Sequence, residues 1–212
     1  MLSVAVQAGG QSSRMGENKA LKPFLGRPLI ERVVSRIDSA ADEILITTND
    51  PGAFDFLGIR QELDIRHGSG PLGGLYTALA AARSPIVAVV ACDMPFANAP
   101  LLVASAGILL HDDVDVVIAR SPEGYEPLHA VYRRTTCVPA IESALDSGQL
   151  RVISWFPKVR VRHLTSEELD RYDPEGIAFL NVNTPDEFAR AEERAGEESR
   201  PGCGGRIQWR PG

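Results

Sequence analysis

The sequence is poor in three features that each mark a class of protein: long apolar runs, positive charge and cysteine. Its longest uninterrupted apolar run, Ile86–Cys92, is far shorter than the roughly 20 residues that a membrane-spanning helix needs. The formal net charge of -6 disfavours non-specific binding to nucleic acid or to an anionic membrane surface, because both require surplus lysine and arginine. We therefore expect neither a nucleic acid nor a membrane as partner.

The few cysteines also limit the choice of class. Cys92, Cys137 and Cys203 are odd in number and widely spaced, which fits neither a disulfide framework nor a CxxC-type zinc site. The apolar segment Leu2–Val6 lacks the basic region and the long apolar core of a signal peptide. We expect reduced, structural thiols and a cytoplasmic protein.

Short stretches rich in valine and isoleucine alternate along the chain with segments of helical spacing. The predicted strands of the first part are Ser3–Gln7, Glu43–Thr48, Leu63–Arg66, Ile86–Ala91 and Val114–Ala119. Between them, apolar residues recur three or four positions apart, as in Leu29, Val33 and Ile37. Repeated strand–helix–strand units predict an α/β fold with a mostly parallel sheet and helices on both faces.

The second half of the chain is less regular, and a lid or subdomain is one interpretation of it. The spacing predicts strands over Leu128–Arg133, Val159–Leu164 and Ile177–Leu180, and a helix over Val138–Leu145. Thr184, followed by Pro185 and acidic residues, predicts a helix from there to about Ala195. We expect a single domain over residues 1–195 and a flexible C-terminal tail over residues 196–212.

Ligands of open α/β sheets bind outside the carboxyl ends of the strands, so the loop after the first strand is the first candidate for function. The segment Gln7–Ala20 combines glycines, small hydroxyl residues and two cations. Gly9 and Gly10 allow backbone N–H groups to approach phosphate oxygens. Arg14 and Lys19 can neutralise the charge of a triphosphate. We interpret the segment as a polyphosphate-binding loop rather than a plain glycine turn, although its spacing matches neither a P-loop nor a dinucleotide fingerprint.

Two further segments follow predicted strands. Asp93 comes after Ile86–Ala91, and a carboxylate there suits Mg²⁺, which takes few protein carboxylates and completes its shell with water and substrate phosphates. The alternative role for Asp93 is a turn cap. Gly70 precedes a predicted helix whose N-terminus can hold a base, a ribose or a phosphate. Asp64 is either an acceptor for a nucleobase edge or a solvated turn carboxylate.

These motifs resemble those of the nucleotidyltransferase superfamily that activates sugars, isoprenoid precursors and cofactors. The string Ala8–Lys19 and the segment Asp93–Pro95 carry this resemblance. Gly70–Gly74, Glu126–Arg133 and Asn181–Pro185 are similar to segments of the molybdenum cofactor guanylyltransferases. The resemblance spans most of the chain. It implies a Rossmann-like α/β fold, GTP and molybdopterin as substrates, Mg²⁺ as cofactor, and molybdopterin guanine dinucleotide and pyrophosphate as products.

The resemblance also implies roles for individual residues. The family's nucleotide-binding loop falls on Gln7, Ala8 and Gly9, its phosphate-binding lysine on Lys19, its metal-binding aspartate on Asp93, and its guanosine contacts on Thr47 and Asp64. Gln7 departs from the leucine that the family more often has, and Thr47 departs from a more usual asparagine. These departures leave the choice of nucleotide more open than the type of reaction.

The expected chemistry follows from charge. A phosphate of the acceptor attacks the α-phosphate of the nucleotide in line, and both partners are anions that repel each other. We expect Mg²⁺ on Asp93 to bridge the α-phosphate and the incoming oxygen, and Arg14 and Lys19 to stabilise the departing pyrophosphate. A covalent enzyme intermediate is unnecessary because the attacking phosphate is already ionised near neutral pH. Asn183 is expected at the acceptor site, with Thr184 capping the next helix.

Several alternatives stay open from the sequence. The alternatives to a guanylyltransferase are a cytidylyltransferase acting on molybdopterin, a nucleotidyltransferase for another phosphorylated metabolite, and a non-catalytic nucleotide-binding module. A molybdoenzyme or its chaperone is a further candidate partner, and both a monomer and a weak homo-oligomer are compatible with the sequence. His129 either lines the acceptor pocket or is satisfied by the backbone, and Tyr125 and Trp155 either stack on a pterin or pack internally.

Overall fold

A computed structural model of the chain describes residues 1–9, 18–50, 52–121 and 124–198. The β-strands are β1 (Leu2–Gln7), β2 (Pro23–Phe24), β3 (Arg27–Pro28), β4 (Glu43–Thr48), β5 (Arg60–Leu63), β6 (Ile86–Ala91), β7 (Val116–Ile118), β8 (Arg120–Ser121), β9 (Gly124–Tyr125), β10 (His129–Arg133) and β11 (Val161–His163). The α-helices are α1 (Leu29–Ile37), α2 (Gly70–Ala81), α3 (Ala99–His111), α4 (Arg134–Asp146), α5 (Ser166–Tyr172) and α6 (Pro185–Glu198). Short 3₁₀ helices cover Lys19–Leu21, Asp38–Ala40, Asp55–Leu57 and Phe156–Lys158.

Seven strands form the central sheet in the order β11-β7-β10-β6-β1-β4-β5. Neighbouring strands run parallel except at β10, which is antiparallel to both β6 and β7. Every residue of β1 and β6 is buried, because strands covered on both faces have no side that meets solvent. The prediction of a mostly parallel sheet is therefore confirmed.

Helices cover both faces of this sheet, as predicted. Val6 of β1 belongs to the core that α1 and α3 cover, whereas Ala5 belongs to the core that α2 and α4 cover. Successive side chains of a strand point to opposite faces, so Gln7 at the end of β1 lies on the α2 face with Ala5. Within the described ranges, none of the helices combines the length and the hydropathy needed to span a membrane.

The order of the strands indicates the edge of the sheet at which a ligand is expected to bind. From β1 the chain proceeds to β4 and β5 on one side, and then crosses to β6 on the other side of β1. Ligands of open α/β sheets bind at such a switch point, outside the carboxyl ends of the strands. Gln7 is level with Thr47 of β4 and with Ala91 of β6, so the loops after these three strands begin side by side.

The strand predicted over Leu63–Arg66 was placed wrongly, because the observed strand is Arg60–Leu63. This edge strand is polar, so its hydropathy gives no signal. Its position is fixed by pairing with β4 and by ion pairs from Arg60 to Glu43 and Glu62. As a consequence, Asp64 follows the strand instead of lying inside it.

The strand predicted over Ile177–Leu180 is also wrong, because the segment forms a turn. The carboxylate of Asp173 accepts hydrogen bonds from the N–H groups of Ile177 (3.1 Å) and Ala178 (2.9 Å). A side chain that binds successive backbone N–H groups competes with strand pairing. Nothing in the short apolar run itself reveals that competition.

The second half of the chain extends the central sheet with β7, β10 and β11, and it also contains the separate two-stranded sheet β8-β9. The last helix, α6, runs to Glu198, so the first three residues of the predicted tail are helical. Its end is held by ion pairs from Glu198 to Arg32 (2.8 Å) and Arg36 (3.2 Å) of α1. The rest of the predicted tail, residues 199–212, lies outside the described residues.

Candidate active site

The carboxyl end of β1 lies between the carboxyl ends of its neighbouring strands, β4 and β6. The N–H of Ala8 donates to the carbonyl of Thr47 (2.8 Å), and the N–H of Cys92 donates to the carbonyl of Gln7 (3.1 Å). Gly9 and Asp93 each follow one residue later, so both lie at the same edge of the sheet. Two of the predicted site residues, Gly10 and Arg14, lie outside the described residues.

Asp93 lies half-buried just after β6, where its carbonyl accepts a hydrogen bond from the N–H of Val182 (3.0 Å). Burial raises the pKa of the Asp93 carboxyl above its ordinary value, and the positive charge of Lys19 partly opposes this shift. The structure therefore brings Lys19 into the electrostatic field of Asp93.

Lys19 opens the 3₁₀ turn Lys19–Leu21, which Asn18 caps by accepting a hydrogen bond from the N–H of Ala20 (3.1 Å). The Lys19 ammonium donates to Oδ1 of Asn183 (2.9 Å). The segment that leads into α6 thus reaches the loop after β1 from the far end of the chain. Lys19, Asp93 and Asn183 form one cluster.

Asn183 is available to this cluster because other residues cap α6. The Thr184 hydroxyl accepts from the N–H of Glu187 (3.2 Å), and the Glu187 carboxylate accepts from the N–H groups of Thr184 (2.9 Å) and Asn183 (2.7 Å). This reciprocal arrangement satisfies the first donors of the helix. The prediction that Thr184 caps the helix is confirmed, and the side chain of Asn183 faces Lys19.

The donor set around Asp93 fits Mg²⁺. Among the described residues, no group of three or more histidine, cysteine, aspartate or glutamate side chains comes together to hold a metal ion. A lone carboxylate fits an ion that is bound through one or two carboxylates and takes its remaining ligands from substrate phosphates and water. Asp93 would then be one ligand of such an ion, beside the phosphates of a bound substrate.

Asp64 forms a second polar cluster at the same edge, on the other side of β1. Its Oδ2 accepts a hydrogen bond from Nδ2 of Asn49 (2.8 Å), and burial raises the pKa of the Asp64 carboxyl. A Cβ at Gly9 would lie 3.3 Å from both of these side-chain atoms, a tight contact that glycine avoids. Asn49 was not among the residues predicted from the sequence. It directly follows β4, so it meets the same rule as Asp93, that ligands bind beyond the carboxyl ends of the strands.

Gln7 packs under the first turns of α2. Its Nε2 donates to the carbonyl of Pro71 (3.3 Å), and its amide occupies the space that a Cβ at Gly74 would fill. Thr47, level with Gln7 on the next strand, is fully buried on the same face. Gly70 is the exposed first residue of α2 with φ of +58°, a conformation that favours glycine. The structure thus places Gln7, Thr47 and Gly70 around one end of α2.

The remaining sequence candidates are mostly packing residues. Trp155 is completely buried and donates its indole N–H to the carbonyl of Val152 (2.7 Å). Tyr125 stacks on His163 with 5.3 Å between ring centroids, and Arg120 covers it at 5.6 Å. His129 is buried, and its Nε2 accepts from the N–H of Asn98 (3.0 Å). Trp155 is therefore a packing residue. His129 is bonded to the backbone at Nε2, whereas its buried Nδ1 has no hydrogen-bond partner within the described residues.

The burial of His129 predicts a pH-dependent stability. Burial lowers its pKa from 6.5 to about 4, so the unfolded chain binds a proton that the folded chain excludes between these values. The contribution of His129 to the free energy of unfolding is therefore highest above about pH 6.5. It falls as the pH is lowered towards 4, by at most roughly 3 kcal/mol. We expect His129→Gln to flatten the dependence of the unfolding free energy on pH between 4.5 and 7. An unchanged slope, measured by urea denaturation, would contradict this assignment.

Comparison with known proteins identifies the family. Residues 4–162 match the family described as the MobA-like NTP transferase domain. The chain belongs to this family. It is therefore a nucleotidyltransferase by family, as its motifs predicted.

Other MobA-like proteins cover nearly the whole chain. A protein of Desulfosudis oleivorans named molybdenum cofactor guanylyltransferase is 35% identical over 190 residues, which are 88% of this chain and 92% of that protein. One of Pelotomaculum thermopropionicum, named probable molybdenum cofactor guanylyltransferase, is 36% identical over 197 residues, which are 93% and 94% of the two chains.

Solved structures support the fold of this MobA-like chain. The crystal structure of molybdopterin-guanine dinucleotide biosynthesis protein A from Archaeoglobus fulgidus superposes with a TM-score of 0.80 at 27% identity, covering 92% of this chain and 99% of that one. The 2-C-methyl-D-erythritol 4-phosphate cytidylyltransferase of Thermus thermophilus shares the fold alone, with a TM-score of 0.63 at 15% identity over 90% and 97% of the two chains. The predicted Rossmann-like α/β fold is confirmed.

Proposed function

We propose that this chain transfers GMP from GTP to the phosphate of molybdopterin, giving molybdopterin guanine dinucleotide and pyrophosphate. The observation that carries the proposal is the meeting of Lys19, Asp93 and Asn183 at the carboxyl edge of the sheet. This cluster presents a cation, a carboxylate and an amide where a triphosphate and a phosphorylated acceptor have to meet. The names of the relatives given above agree with this choice of substrates.

The two polar clusters divide the nucleotide between them. Asp64 is an acidic acceptor, so it repels phosphate and favours the N–H groups of a base. Lys19 attracts phosphate, and its ammonium lies on the side of Asp93 and Asn183. We therefore assign the base to the β4 and β5 side of β1, near Thr47, Asp64 and Gly70, and the phosphates to the β6 side. Gln7 ends β1 between the two clusters, and Ala8 and Gly9 begin the loop that follows it.

Lys19 has two tasks in the proposed reaction. Its ammonium attracts the triphosphate and offsets the negative charge that gathers on the pyrophosphate as it departs. Its hydrogen bond to Asn183 fixes the direction of the ammonium and leaves the Asn183 amide N–H₂ group free to orient the acceptor phosphate. Arg14 shares the charge of the leaving group, a role that rests on the sequence alone.

Asp93 is the residue that would hold Mg²⁺. The ion, when bound, supplies positive charge that lowers the repulsion between the two phosphates. The chain contributes a fixed carboxylate, because the backbone of Asp93 is held by Val182 on one side, and the neighbouring Cys92 is held by Gln7 on the other. Neither reactant needs a proton removed, so none of the described histidines is assigned a role in proton transfer.

The proposal is tested by pyrophosphate release from each of the four nucleoside triphosphates in the presence of Mg²⁺. We expect release from GTP only when molybdopterin is added, and the appearance of molybdopterin guanine dinucleotide by mass spectrometry. Release from CTP with molybdopterin would make the chain a cytidylyltransferase. Binding of a nucleotide with no release under any condition would favour a non-catalytic binding module.

We expect residues 1–198 to act as one domain, because α6 returns to α1 through Glu198. We place the reaction in the cytoplasm and propose that a molybdoenzyme or its chaperone receives the product. The active form is either a monomer or a weak homo-oligomer.

A further inference from the structure

Gln7 carries a polar atom whose role the fold does not explain. The carbonyl of Pro71 can only accept a hydrogen bond, so the Gln7 amide turns its nitrogen towards it and its Oε1 away from it. Gln7 is only 5% exposed, and within the described residues its Oε1 has no hydrogen-bond partner. A buried acceptor left unpaired costs stability.

Packing alone does not account for an amide at this position. The side chain fills the space above Gly74, and its hydrogen bond to the carbonyl of Pro71 is long at 3.3 Å. A leucine would fill a similar volume without leaving a buried acceptor unpaired. The amide is therefore explained by something that binds beside it.

The neighbouring polar atoms indicate the chemistry of that ligand. Asp64 is 8% exposed; its Oδ2 is occupied by Asn49, whereas its Oδ1 has no partner among the described residues. Thr47 on the same sheet face also has an unpartnered buried hydroxyl within the described part of the chain. A phosphate would set its oxygens against the carboxylate and amide oxygens, so a ligand with several N–H donors fits better.

Guanine has the required set of donors. It presents N1–H and a 2-amino group on adjacent atoms, and Oδ1 of Asp64, which has no partner among the described residues, accounts for only one of them. Uracil lacks an amino group, and adenine and cytosine carry an acceptor beside theirs. A second acceptor is therefore needed for guanine, and the unpaired Oε1 of Gln7 is available at the same end of α2.

We propose that Oε1 of Gln7 accepts a hydrogen bond from the 2-amino group of guanine, and that this contact, beside N1–H on Asp64, makes Gln7 a specificity-determining residue. The inference rests on the proposed function, since it names how the same site recognises its nucleotide. It adds to that function a side chain that the family pattern does not supply.

Inosine triphosphate provides a direct test because it is GTP without the 2-amino group. We expect the wild-type protein to prefer GTP over inosine triphosphate by roughly tenfold or more in kcat/KM, because the analogue leaves a buried acceptor unpaired. Gln7→Leu is expected to remove most of this preference by lowering kcat/KM for GTP while leaving the value for inosine triphosphate nearly unchanged. A role limited to supporting α2 would lower both values equally.

Two further variants separate the contact from the fold. Gly74→Ala keeps Gln7 but places a methyl group where its amide lies, so it is expected to reduce the preference for GTP in the same way. Gln61→Leu is the matched control. Like Gln7, Gln61 has a buried Oε1 with no partner within the described residues, and its Nε2 donates to Oδ1 of Asp55 (2.7 Å). Gln61 is paired with Ile46 of β4, so its side chain lies on the face of the sheet opposite to that of Gln7. Its substitution is expected to leave the ratio unchanged.

Failure of the inference and failure of the proposed function are distinguishable. If Gln7→Leu changes kcat/KM for GTP and inosine triphosphate in parallel, or changes neither, the contact to the 2-amino group is wrong while the reaction stands. If the wild-type protein turns over no nucleotide with molybdopterin, the function fails. The same two nucleotides are then compared by calorimetric affinity, where a preference for GTP lost in Gln7→Leu would still support the contact.

Discussion

Asp93→Asn is expected to reduce turnover by on the order of a thousandfold, because it removes the carboxylate that would hold the metal ion. The variant keeps the size and shape of the side chain. Guanylyl transfer with saturating GTP and molybdopterin measures the loss, and a titration with Mg²⁺ shows whether excess ion restores any rate. Activity close to that of the wild-type protein would remove Asp93 from the mechanism.

The same variant is expected to fold normally. Burial raises the pKa of Asp93, so its proton is bound more tightly in the folded state than in the unfolded state. The ionised carboxylate therefore opposes folding at neutral pH in the absence of metal, and a neutral amide should leave the melting temperature unchanged or slightly higher. A loss of activity without a loss of stability is the signature expected of a functional residue.

Asp112→Asn is the matched control for Asp93→Asn. Asp112 follows α3 at the end of the sheet opposite the site, where its carboxylate pairs with Arg162 (3.3 Å) at the surface. The substitution makes the same chemical change, and surface ion pairs contribute little to stability. We expect its turnover and its response to Mg²⁺ to match the wild-type protein.

Lys19→Met has the second-largest expected effect, a reduction of kcat/KM by about 100- to 1,000-fold. Methionine keeps most of the length of the side chain but removes the charge and the hydrogen bond to Asn183. Steady-state kinetics also separate the two tasks of Lys19. A higher KM for GTP indicates binding of the triphosphate, whereas a lower kcat indicates stabilisation of the departing pyrophosphate.

The control for Lys19 is Lys158→Met. The Lys158 ammonium donates to the hydroxyl of Ser143 on α4 (2.7 Å), and Lys158 is not a residue of the proposed site, so its loss is expected to leave both kinetic constants unchanged. Lys19→Arg, which keeps the charge but not the geometry, is expected to recover part of the kcat/KM. Wild-type kinetics in Lys19→Met would contradict the phosphate-binding role.

Most of the central sheet was predictable from the sequence, because its strands are buried on both faces and stand out as short valine- and isoleucine-rich runs. β5 was predicted at the wrong residues because an edge strand with polar side chains is fixed by its hydrogen bonds to β4. The antiparallel direction of β10 could not be predicted from the sequence either, since a hydrophobic pattern is the same for parallel and antiparallel pairing.

The candidate site was predictable in part. Lys19 and Asp93 followed from the rule that ligands bind beyond the carboxyl ends of strands, and the structure places them within electrostatic reach of each other. Asn49 satisfied the same rule and was missed, because its role depends on the position of Asp64. Gly74 carried no local sign that it makes room for the Gln7 amide.

The α/β class, the loops that carry the polar groups and the type of chemistry were predictable from the sequence, because they depend on local hydrophobic spacing and on the charges of side chains. Which of those groups meet depends on the folded structure. Lys19 and Asn183 are far apart in the chain, and so are Gln7 and Pro71; each pair comes together because the strand order brings distant loops to one edge. Unpaired buried acceptors such as Oε1 of Gln7 exist only once the chain has folded around them.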